Sequence, residues 1–173
     1  MAHFNEYLDL LELSPLVNHC LQNGKKRLYK KGEFFCQTSE VCHNIAYISQ
    51  GSFRYFYLDT EGNKHIIGYS FEKDFVADYE SFTRQTPAII YTEAIKASTV
   101  YQLSYNQLEE FWAATRQNQL LGRKIAENLF CMTYHRLLNL YSASPKIRYQ
   151  ELLKRCPDIV HQTSLKEIAS FLN

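Results

Sequence analysis

Cysteine and histidine are the residue types in this sequence that could bind a metal ion or act as a nucleophile. The five cysteines lie at positions 20, 36, 42, 131 and 156. Their number is odd, and no two of them have the Cys-x-x-Cys spacing of structural zinc sites and redox motifs. This pattern argues against a disulfide framework, a zinc site and an iron–sulfur cluster. We therefore expect buried free thiols and no bound metal or other cofactor.

The six histidines are scattered along the chain, at positions 3, 19, 43, 65, 135 and 161. A cupin-type metalloenzyme would need two or three histidines and a carboxylate that converge on a β barrel. Only His43 and His65 fall in a β-rich stretch, and we expect both on the surface or in turns. The sequence also lacks a glycine-rich phosphate loop and a recognisable nucleophile context. We predict that the protein is not an enzyme; the alternatives are a cupin-like metalloenzyme and a ligand-binding β roll without DNA binding.

The last eleven residues, 163–173, carry the pattern of a capped amphipathic helix. Ser164 is followed three residues later by Glu167, which is the spacing of a capping box. One helical face is apolar and contains Leu165, Ile168, Ala169 and Leu172. Asn173 tolerates the left-handed backbone that a sharp turn into a second helix requires. The pattern predicts the first helix of a helix-turn-helix whose second helix lies beyond this sequence.

Composition indicates a globular protein, because 46% of the residues are apolar and 14% are aromatic, enough for a hydrophobic core. No apolar run approaches the roughly 18 residues of a membrane span, and the N-terminus lacks a signal-peptide pattern. We therefore expect a cytoplasmic protein without a membrane partner. Residues 1–119 carry a net charge of −3, whereas residues 120–173 carry +4. A basic C-terminal part fits a segment that faces nucleic acid.

Short β-branched and aromatic runs dominate the first part of the chain after two short helices, the second of which begins at Ser14 and Pro15. The runs are separated by turn residues such as those at 59–63. Strands this short and regular indicate a β sandwich or roll. The predicted strands cover residues 45–49, 53–59, 64–69, 92–97 and 99–104.

A single long helix is predicted over residues 105–141, where no proline occurs and Gly122 is the only weak point. Its apolar stripe is wider than one small domain requires, so we expect a homodimer through this helix. The predicted interface residues are Leu121, Ile125, Leu129 and Met132. Ser144 and Pro145 then begin another helix. The predicted organisation is a β-roll domain over 1–104, a long dimerisation helix over 105–141, and an incomplete helix-turn-helix domain over 142–173; the resemblance described next implies that the first is a sensor domain and the last a DNA-binding domain.

Several strings in this order resemble the Crp/Fnr family of transcription regulators, in particular the branch common in Bacteroidetes. Similar strings are found at residues 31–35 (KGEFF), 46–55 (AYISQGSFRY), 81–87 (SFTRQTP), 148–153 (RYQELL) and 165–173 (LKEIASFLN). The resemblance implies an α+β fold: a double-stranded β-helix (jelly roll) of the cyclic-nucleotide-binding type with flanking helices, a long dimerisation helix, and part of a winged helix-turn-helix.

The same resemblance implies a DNA-binding transcription regulator that acts as a homodimer, binds DNA in its full-length form and contacts RNA polymerase. The two recognition helices of a dimer would enter successive major grooves about 34 Å apart. Ser164 and Lys166 would then contact phosphates, which position a protein without specifying a sequence. The alternative is that Ser164 only caps its helix and Lys166 is an exposed charge.

The sequence departs from the family in the segment that holds a cyclic nucleotide. Family members have Gly and Glu after a Phe, and an Arg after a Pro about ten residues later. The matching positions here hold Phe75, Val76 and Ala77, followed by Pro87, Ala88 and Ile89. A buried phosphate would therefore lack its arginine and the ribose its carboxylate. We predict that cyclic AMP does not bind with useful affinity.

The same six residues would give the pocket an apolar lining. Cys131 and Thr133 of the long helix correspond to positions where family members let that helix touch the ligand. Two alternatives remain open: a small apolar effector, or a collapsed pocket that is filled by its own aromatic side chains such as Tyr79 or Tyr91. Collapse is the simpler alternative.

Overall fold

The computed structural model describes residues 3–172 and has an α+β fold. Its β strands form two antiparallel sheets of four strands each. The strands are β1 (Lys25–Tyr29), β2 (Phe34–Cys36), β3 (Asn44–Gln50), β4 (Phe53–Leu58), β5 (Lys64–Ser70), β6 (Phe75–Val76), β7 (Tyr91–Ala94) and β8 (Ser98–Ser104).

Strand order in the two sheets is β1-β8-β3-β6 and β2-β7-β4-β5. Most neighbours are not consecutive in sequence, so the chain crosses repeatedly between the sheets, as in a jelly roll. The five predicted strands are confirmed, with ends that differ by at most three residues. Three strands were not predicted: β1 is a largely exposed basic strand, and β2 and β6 are only three and two residues long.

Seven of the helices precede or follow the strands of the roll in the sequence, and α3 lies between β6 and β7. The helices are α1 (Tyr7–Leu10), α2 (Ser14–Asn23), α3 (Tyr79–Arg84), α4 (Tyr105–Ala114), α5 (Arg116–Ser142), α6 (Pro145–Arg155), α7 (Ile159–Gln162) and α8 (Leu165–Leu172). The predicted helix starts at Ser14 and at Ser144–Pro145 are confirmed. None of the helices in residues 3–172 is long and apolar enough to cross a lipid bilayer.

The prediction of one helix over 105–141 is wrong, because the chain leaves helical geometry at Thr115. Its φ and ψ are −146° and 154°, and its Oγ1 accepts a hydrogen bond of 3.0 Å from the backbone N of Asn118. Thr115 is thus the N-cap of α5, and it satisfies a backbone donor that a continuous helix would not leave free. The long helix therefore begins at Arg116 and has 27 residues.

Helix α4 folds back onto α5, where Trp112 packs against Gly122. A Cβ atom at Gly122 would lie 3.2 Å from the Trp112 ring, which is closer than an ordinary packing contact. The glycine that weakens the helical pattern therefore has a packing role. The contact also orients α4 on the long helix.

A glycine with positive φ joins β3 to β4. The φ of Gly51 is 112°, and a Cβ atom there would lie 2.1 Å from Oγ of Ser98. Only glycine fits this turn, because both the backbone conformation and the space exclude a side chain.

The C-terminal helices pack on the second sheet rather than standing apart from it. Ile168 of α8 is buried against Ile66 and Tyr69 of β5, together with residues of α6 and α7. Phe171 contacts Phe4, with ring centroids 5.5 Å apart. Residues 142–172 therefore share a core with the β roll.

Candidate ligand-binding cavity

A cavity of about 830 Å³ lies between the β roll and the long helix α5. The roll contributes Tyr55, Phe75 and Ala77 to its wall, and α5 contributes Leu129 and Met132. The wall is mainly apolar, and the volume is that of a site for a small organic molecule.

Two consecutive hydrogen bonds lie on the side of the cavity that the roll forms. The hydroxyl groups of Tyr55 and Ser70 are 2.9 Å apart, and the Ser70 hydroxyl donates to the Phe75 carbonyl at 2.7 Å. Burial raises the pKa of Tyr55. The phenol therefore stays protonated and can take part in hydrogen bonds without a charge.

Asp74 is a buried carboxylate beside the cavity. It accepts hydrogen bonds from the Tyr7 hydroxyl, from the Asn5 amide at 2.6 Å, and from the Phe75 backbone N at 2.6 Å. Burial raises the pKa of Asp74, although these hydrogen bonds act in the opposite direction. Through these hydrogen bonds, Asp74 attaches the N-terminal residues Asn5 and Tyr7 to the turn before β6.

Arg136 brings a positive charge to the cavity wall from α5. Its guanidinium donates to the carbonyl of Ile67 and, at 3.0 Å, to the carbonyl of Phe171. Ile67 is the extra residue of a β-bulge, since Gly68 pairs with Tyr55 while Ile66 pairs with Phe56. A bulge leaves a carbonyl outside the strand ladder, and here the arginine satisfies it.

The eight predicted pocket residues fall into three groups. Phe75, Ala77 and Thr133 line the cavity. Val76 and Ala88 are buried among core side chains. The side chains of Pro87, Ile89 and Cys131 are exposed.

The strand geometry explains part of this division. In β6, neighbouring side chains point to opposite faces, so Phe75 reaches the cavity and Val76 lies in the core of the roll. Ile89 follows a backbone pairing between Ala88 and Glu40 and is 73% exposed. Of the aromatic residues expected to fill a collapsed pocket, Tyr79 lines the cavity, whereas Tyr91 stacks on Phe56 at 5.0 Å elsewhere.

The comparisons with known proteins agree with this architecture. The sequence profile of the cyclic nucleotide-binding domain matches residues 26–115, which is more than half of the chain. The chain belongs to the cyclic nucleotide-binding domain family. None of the curated proteins matches it significantly.

Solved structures share the fold of this cyclic nucleotide-binding domain at low sequence identity. FixK2 from Bradyrhizobium japonicum has a TM-score of 0.72 and 18% identity, over 86% of this chain and 77% of that chain. The c-di-GMP-responsive global regulator CLP from Xanthomonas campestris has a TM-score of 0.61 and 15% identity, over 83% and 71%. A transcriptional regulator from Thermotoga maritima has a TM-score of 0.61 and 14% identity, over 78% and 100%.

The residues predicted to form a dimer interface lie on the face of α5 that meets this domain. Leu121 is buried, and Ile125, Leu129 and Met132 pack against the same core. Within one chain, this predicted stripe covers the core of the chain's own domain. A second apolar stripe lies on the opposite side of α5 and is exposed; it consists of Phe130, Tyr134, Leu137, Leu138 and Tyr141. We call it the outer stripe.

The two residues predicted to contact DNA are both exposed at the start of α8. The capping box is confirmed, since Glu167 N donates to Ser164 Oγ at 3.2 Å and Ser164 N donates to the Glu167 carboxylate at 3.4 Å. Lys166 forms none of the ion pairs found in residues 3–172.

The predicted apolar face of the last helix is only partly correct. Ile168 is buried and Leu172 is half-buried, but Leu165 is 68% exposed and Ala169 is exposed. The helix instead packs through Ile168, Phe171 and Leu172, because the β roll lies on that side. Asn173 and the turn predicted there lie outside the described residues.

Four of the five cysteines are buried free thiols, as predicted, but Cys131 is exposed on α5. Cys36 and Cys42 are in contact, and the hydrogen bond between them raises the pKa of Cys36 and lowers that of Cys42. His43 is hydrogen-bonded to Gln85, while His65 pairs with Asp59 at 2.8 Å. Within residues 3–172 no three His, Cys, Asp or Glu side chains come together as metal ligands.

Arg136 is the site residue that sequence reasoning missed. Its position follows from Leu129 and Met132 by steps of three and four residues, so it shares their helical face. That spacing is visible in the sequence, but the apolar stripe was defined by its apolar residues alone, so a charged residue on the same face was not included. The bulge at Ile67 and the carbonyl of Phe171 give the guanidinium its two partners, and the sequence marks neither of them.

Proposed function

We propose that this chain is the sensor and dimerisation part of a transcription regulator of the Crp/Fnr type. The observation that carries the proposal is the order of its parts. A cyclic nucleotide-binding domain is followed by a helix of 27 residues with two apolar faces, and then by short capped helices. The relatives of known structure that share this fold include transcription regulators. We place the protein in the cytoplasm, where such regulators act.

The outer stripe is the surface that we assign to a second copy of the chain. Its residues lie on one side of α5 at helical spacing, and Tyr141 is 86% and Phe130 70% exposed. A large contiguous apolar surface is rare on a monomer. Self-association through a two-fold axis would pair the stripe with its own copy and cover both.

Light scattering after size exclusion tests this assignment. We expect the wild type to be a dimer and the double variant Phe130→Glu/Tyr134→Glu to be a monomer, because the pairing would bury four like charges. The matched control is Glu127→Gln, which changes an exposed residue on the same side of α5 and should leave the dimer intact. A monomeric wild type, or a dimer that survives the double substitution, contradicts the assignment.

The output that we propose is DNA binding by a form of the protein that continues past residue 173. Ser164 and Lys166 would then contact phosphates at the edge of the recognition site, and RNA polymerase would be a further partner. Salt dependence of DNA binding tests the role of Lys166. In the extended form, Lys166→Gln should weaken binding to all sequences alike and reduce the salt slope by about one. An unchanged salt slope would mean that Lys166 is an exposed charge that does not contact DNA.

The cavity between the roll and α5 is the effector site in this proposal, and cyclic AMP is not its ligand. No arginine follows Pro87, where Ala88 is packed in the core and Ile89 points to solvent. A phosphate would thus find no charged partner at that position. Isothermal titration of the chain with cyclic AMP should give no heat of binding, and micromolar binding would contradict this part of the proposal.

A further inference from the structure

Arg136 is an arginine whose protein partners are all uncharged. Its two hydrogen bonds go to the carbonyl oxygens of Ile67 and Phe171, and its guanidinium lies 4.0 Å from the centre of the Phe171 ring. A guanidinium has five N–H donors, so three of them find no partner within residues 3–172. Arg136, which carries these three remaining donors, lines the cavity.

The other arginines of the cavity wall have charged or several neutral partners. Arg155 pairs with Glu6 at 3.0 Å and with Asp9 at 3.6 Å, and Arg123 pairs with Glu127 at 3.4 Å. Arg148 donates to several backbone carbonyls near the last helix. Arg136 forms no ion pair with any of the described residues, although its side chain is less exposed to solvent than that of Arg123.

Enclosure of an unpaired charge is unfavourable unless something compensates it. Burial lowers the pKa of Arg136 to about 10, but the group remains protonated at neutral pH. Carbonyl dipoles offset part of the lost hydration, whereas a carboxylate would offset more and would use the free donors in a bidentate pair. The cavity therefore presents a preformed anion partner.

The remainder of the wall is suited to an apolar body. On the α5 side, Met132 and Leu129 lie one turn and two turns before the arginine, respectively. Phe75 and Ala77 lie on the side of the roll. A strongly hydrated ion such as free phosphate would lose its water against these side chains without gaining partners. A molecule with one charged end and an apolar body satisfies both parts of the wall.

We propose that the cavity binds an apolar carboxylic acid, with the carboxylate on Arg136 and the hydrocarbon or aromatic body against Leu129, Met132 and Phe75. The inference rests on the proposed function, in which this cavity is the effector site, and it names the class of effector. The ligand would contact the same guanidinium that holds the Phe171 carbonyl of α8. Binding would thus be communicated to the last helix through one side chain.

Calorimetry with a matched pair of probes tests the inference on the wild-type chain. We expect 4-phenylbutyrate to bind and its uncharged analogue 4-phenylbutyramide to bind about ten- to a hundred-fold more weakly, since the amide loses a charge-assisted bidentate pair. Equal affinity for the two probes, or no binding of the acid, would overturn the inference.

Variants locate the site. Arg136→Gln should reduce the affinity for 4-phenylbutyrate by about ten-fold or more, whereas the control Arg116→Gln should leave it unchanged, because Arg116 is an exposed residue of the same helix that does not line the cavity. Because Arg136 also supports α8, Met132→Trp is a second test, which fills the cavity and keeps the charge. It should abolish binding of the acid without changing the fold measured by circular dichroism. An acid that binds as well to both variants as to the wild type does not use this cavity.

The class of effector and the dimeric state of the regulator can be contradicted independently of each other. A chain that dimerises through the outer stripe but does not distinguish the acid from the amide overturns only the class of effector. A chain that binds the acid at Arg136 but stays monomeric in light scattering overturns only the dimeric regulator.

Discussion

The guanidinium of Arg54 on β4 donates to the carboxylate of Glu167 on α8, and this ion pair joins two residues 113 positions apart in the sequence. The same guanidinium donates to Glu93 on β7 at 2.9 Å, and Lys64 reaches Glu93 at 3.0 Å. Two cations and two carboxylates thus alternate at the junction. Only 18% of the Arg54 side chain and 19% of the Glu167 side chain are exposed to solvent. Solvent therefore screens this ion pair less than an ordinary surface ion pair.

The variant Glu167→Gln isolates the charge at this junction, because glutamine can still serve the capping box with Ser164. We expect a loss of about 1 to 2 kcal/mol in the free energy of unfolding at pH 7, since Arg54 keeps Glu93 as a partner. Urea titration measures the loss. Lys166→Gln, one residue away and exposed, is the control and should change little.

The effect of Glu167→Gln should depend on pH in a defined direction. Burial by itself raises the pKa of Glu167, but the hydrogen bond from Thr163 and the charge of Arg54 outweigh it and bring the pKa below 4.5, its usual value. A carboxyl whose pKa is lower in the folded state stabilises the protein above pH 4.5 and loses that contribution as the pH falls through the folded-state pKa. The wild type and the variant should therefore converge in stability below pH 4.5. A constant difference would mean that the ion pair does not act through charge.

Gly51→Ala should lower the free energy of unfolding by about 2 to 4 kcal/mol, because the new Cβ combines a positive φ with a clash against Ser98. Gly62 provides a matched control. It also has a positive φ, of 82°, but a Cβ there would meet no atom within 4 Å. Gly62→Ala should therefore cost only about 1 to 2 kcal/mol. Equal costs in thermal or urea unfolding would show that the turn at Gly51 relaxes.

Asp74→Ala should destabilise the protein by about 3 kcal/mol, because it leaves the Tyr7 hydroxyl and the Phe75 backbone N–H without an acceptor and leaves the Asn5 amide with only the Tyr69 carbonyl. Tyr7→Phe removes one donor and leaves the others bonded, so about 1 kcal/mol is expected. Denaturant unfolding of both variants provides the measurement. If Tyr7→Phe lowers the free energy of unfolding as much as Asp74→Ala does, the hydrogen bonds from Asn5 and Phe75 to Asp74 do not contribute to stability.

Alkylation should distinguish the cysteines by exposure. In native dilute protein, iodoacetamide should modify Cys131 first, whereas Cys20 should react only after unfolding. Cys20 is fully buried, and burial raises the pKa of its thiol to about 12, so little reactive thiolate forms. Peptide mass spectrometry over time gives the rates. Native Cys131→Ser protein should take up almost no label; rapid label on another cysteine would contradict the buried assignments.

The β roll and its flanking helices were predictable where local patterns and packing agree. Alternation and turn residues marked β3 and β4, and the Ser-Pro pairs marked the starts of α2 and α6. The strand β1 was missed because its cations project into solvent, which resembles an irregular surface segment. The break at Thr115 was missed because neither glycine nor proline marks it; a threonine in an otherwise helical stretch is ambiguous between helix interior and N-cap.

The candidate site was less predictable because its residues are brought together from distant parts of the chain. Apolar type alone does not say which way a side chain points, so Ile89 was assigned to the cavity and is exposed. The long helix is apolar on two sides, and its periodicity could not say which side covers its own domain. Arg136 and Ile67 meet only because β5 carries a bulge, a register feature without a signature in the sequence.

Strand β1 lies at the edge of its sheet, with its other side unpaired by any strand of residues 3–172. Its exposed side chains include Lys25, Lys26 and Arg27. A foreign strand that added itself to this edge would bring its backbone into a row of like charges, so the edge resists the β-addition that leads to fibrils. The repulsion between these cations thereby discourages two copies of the chain from joining their sheets through β1.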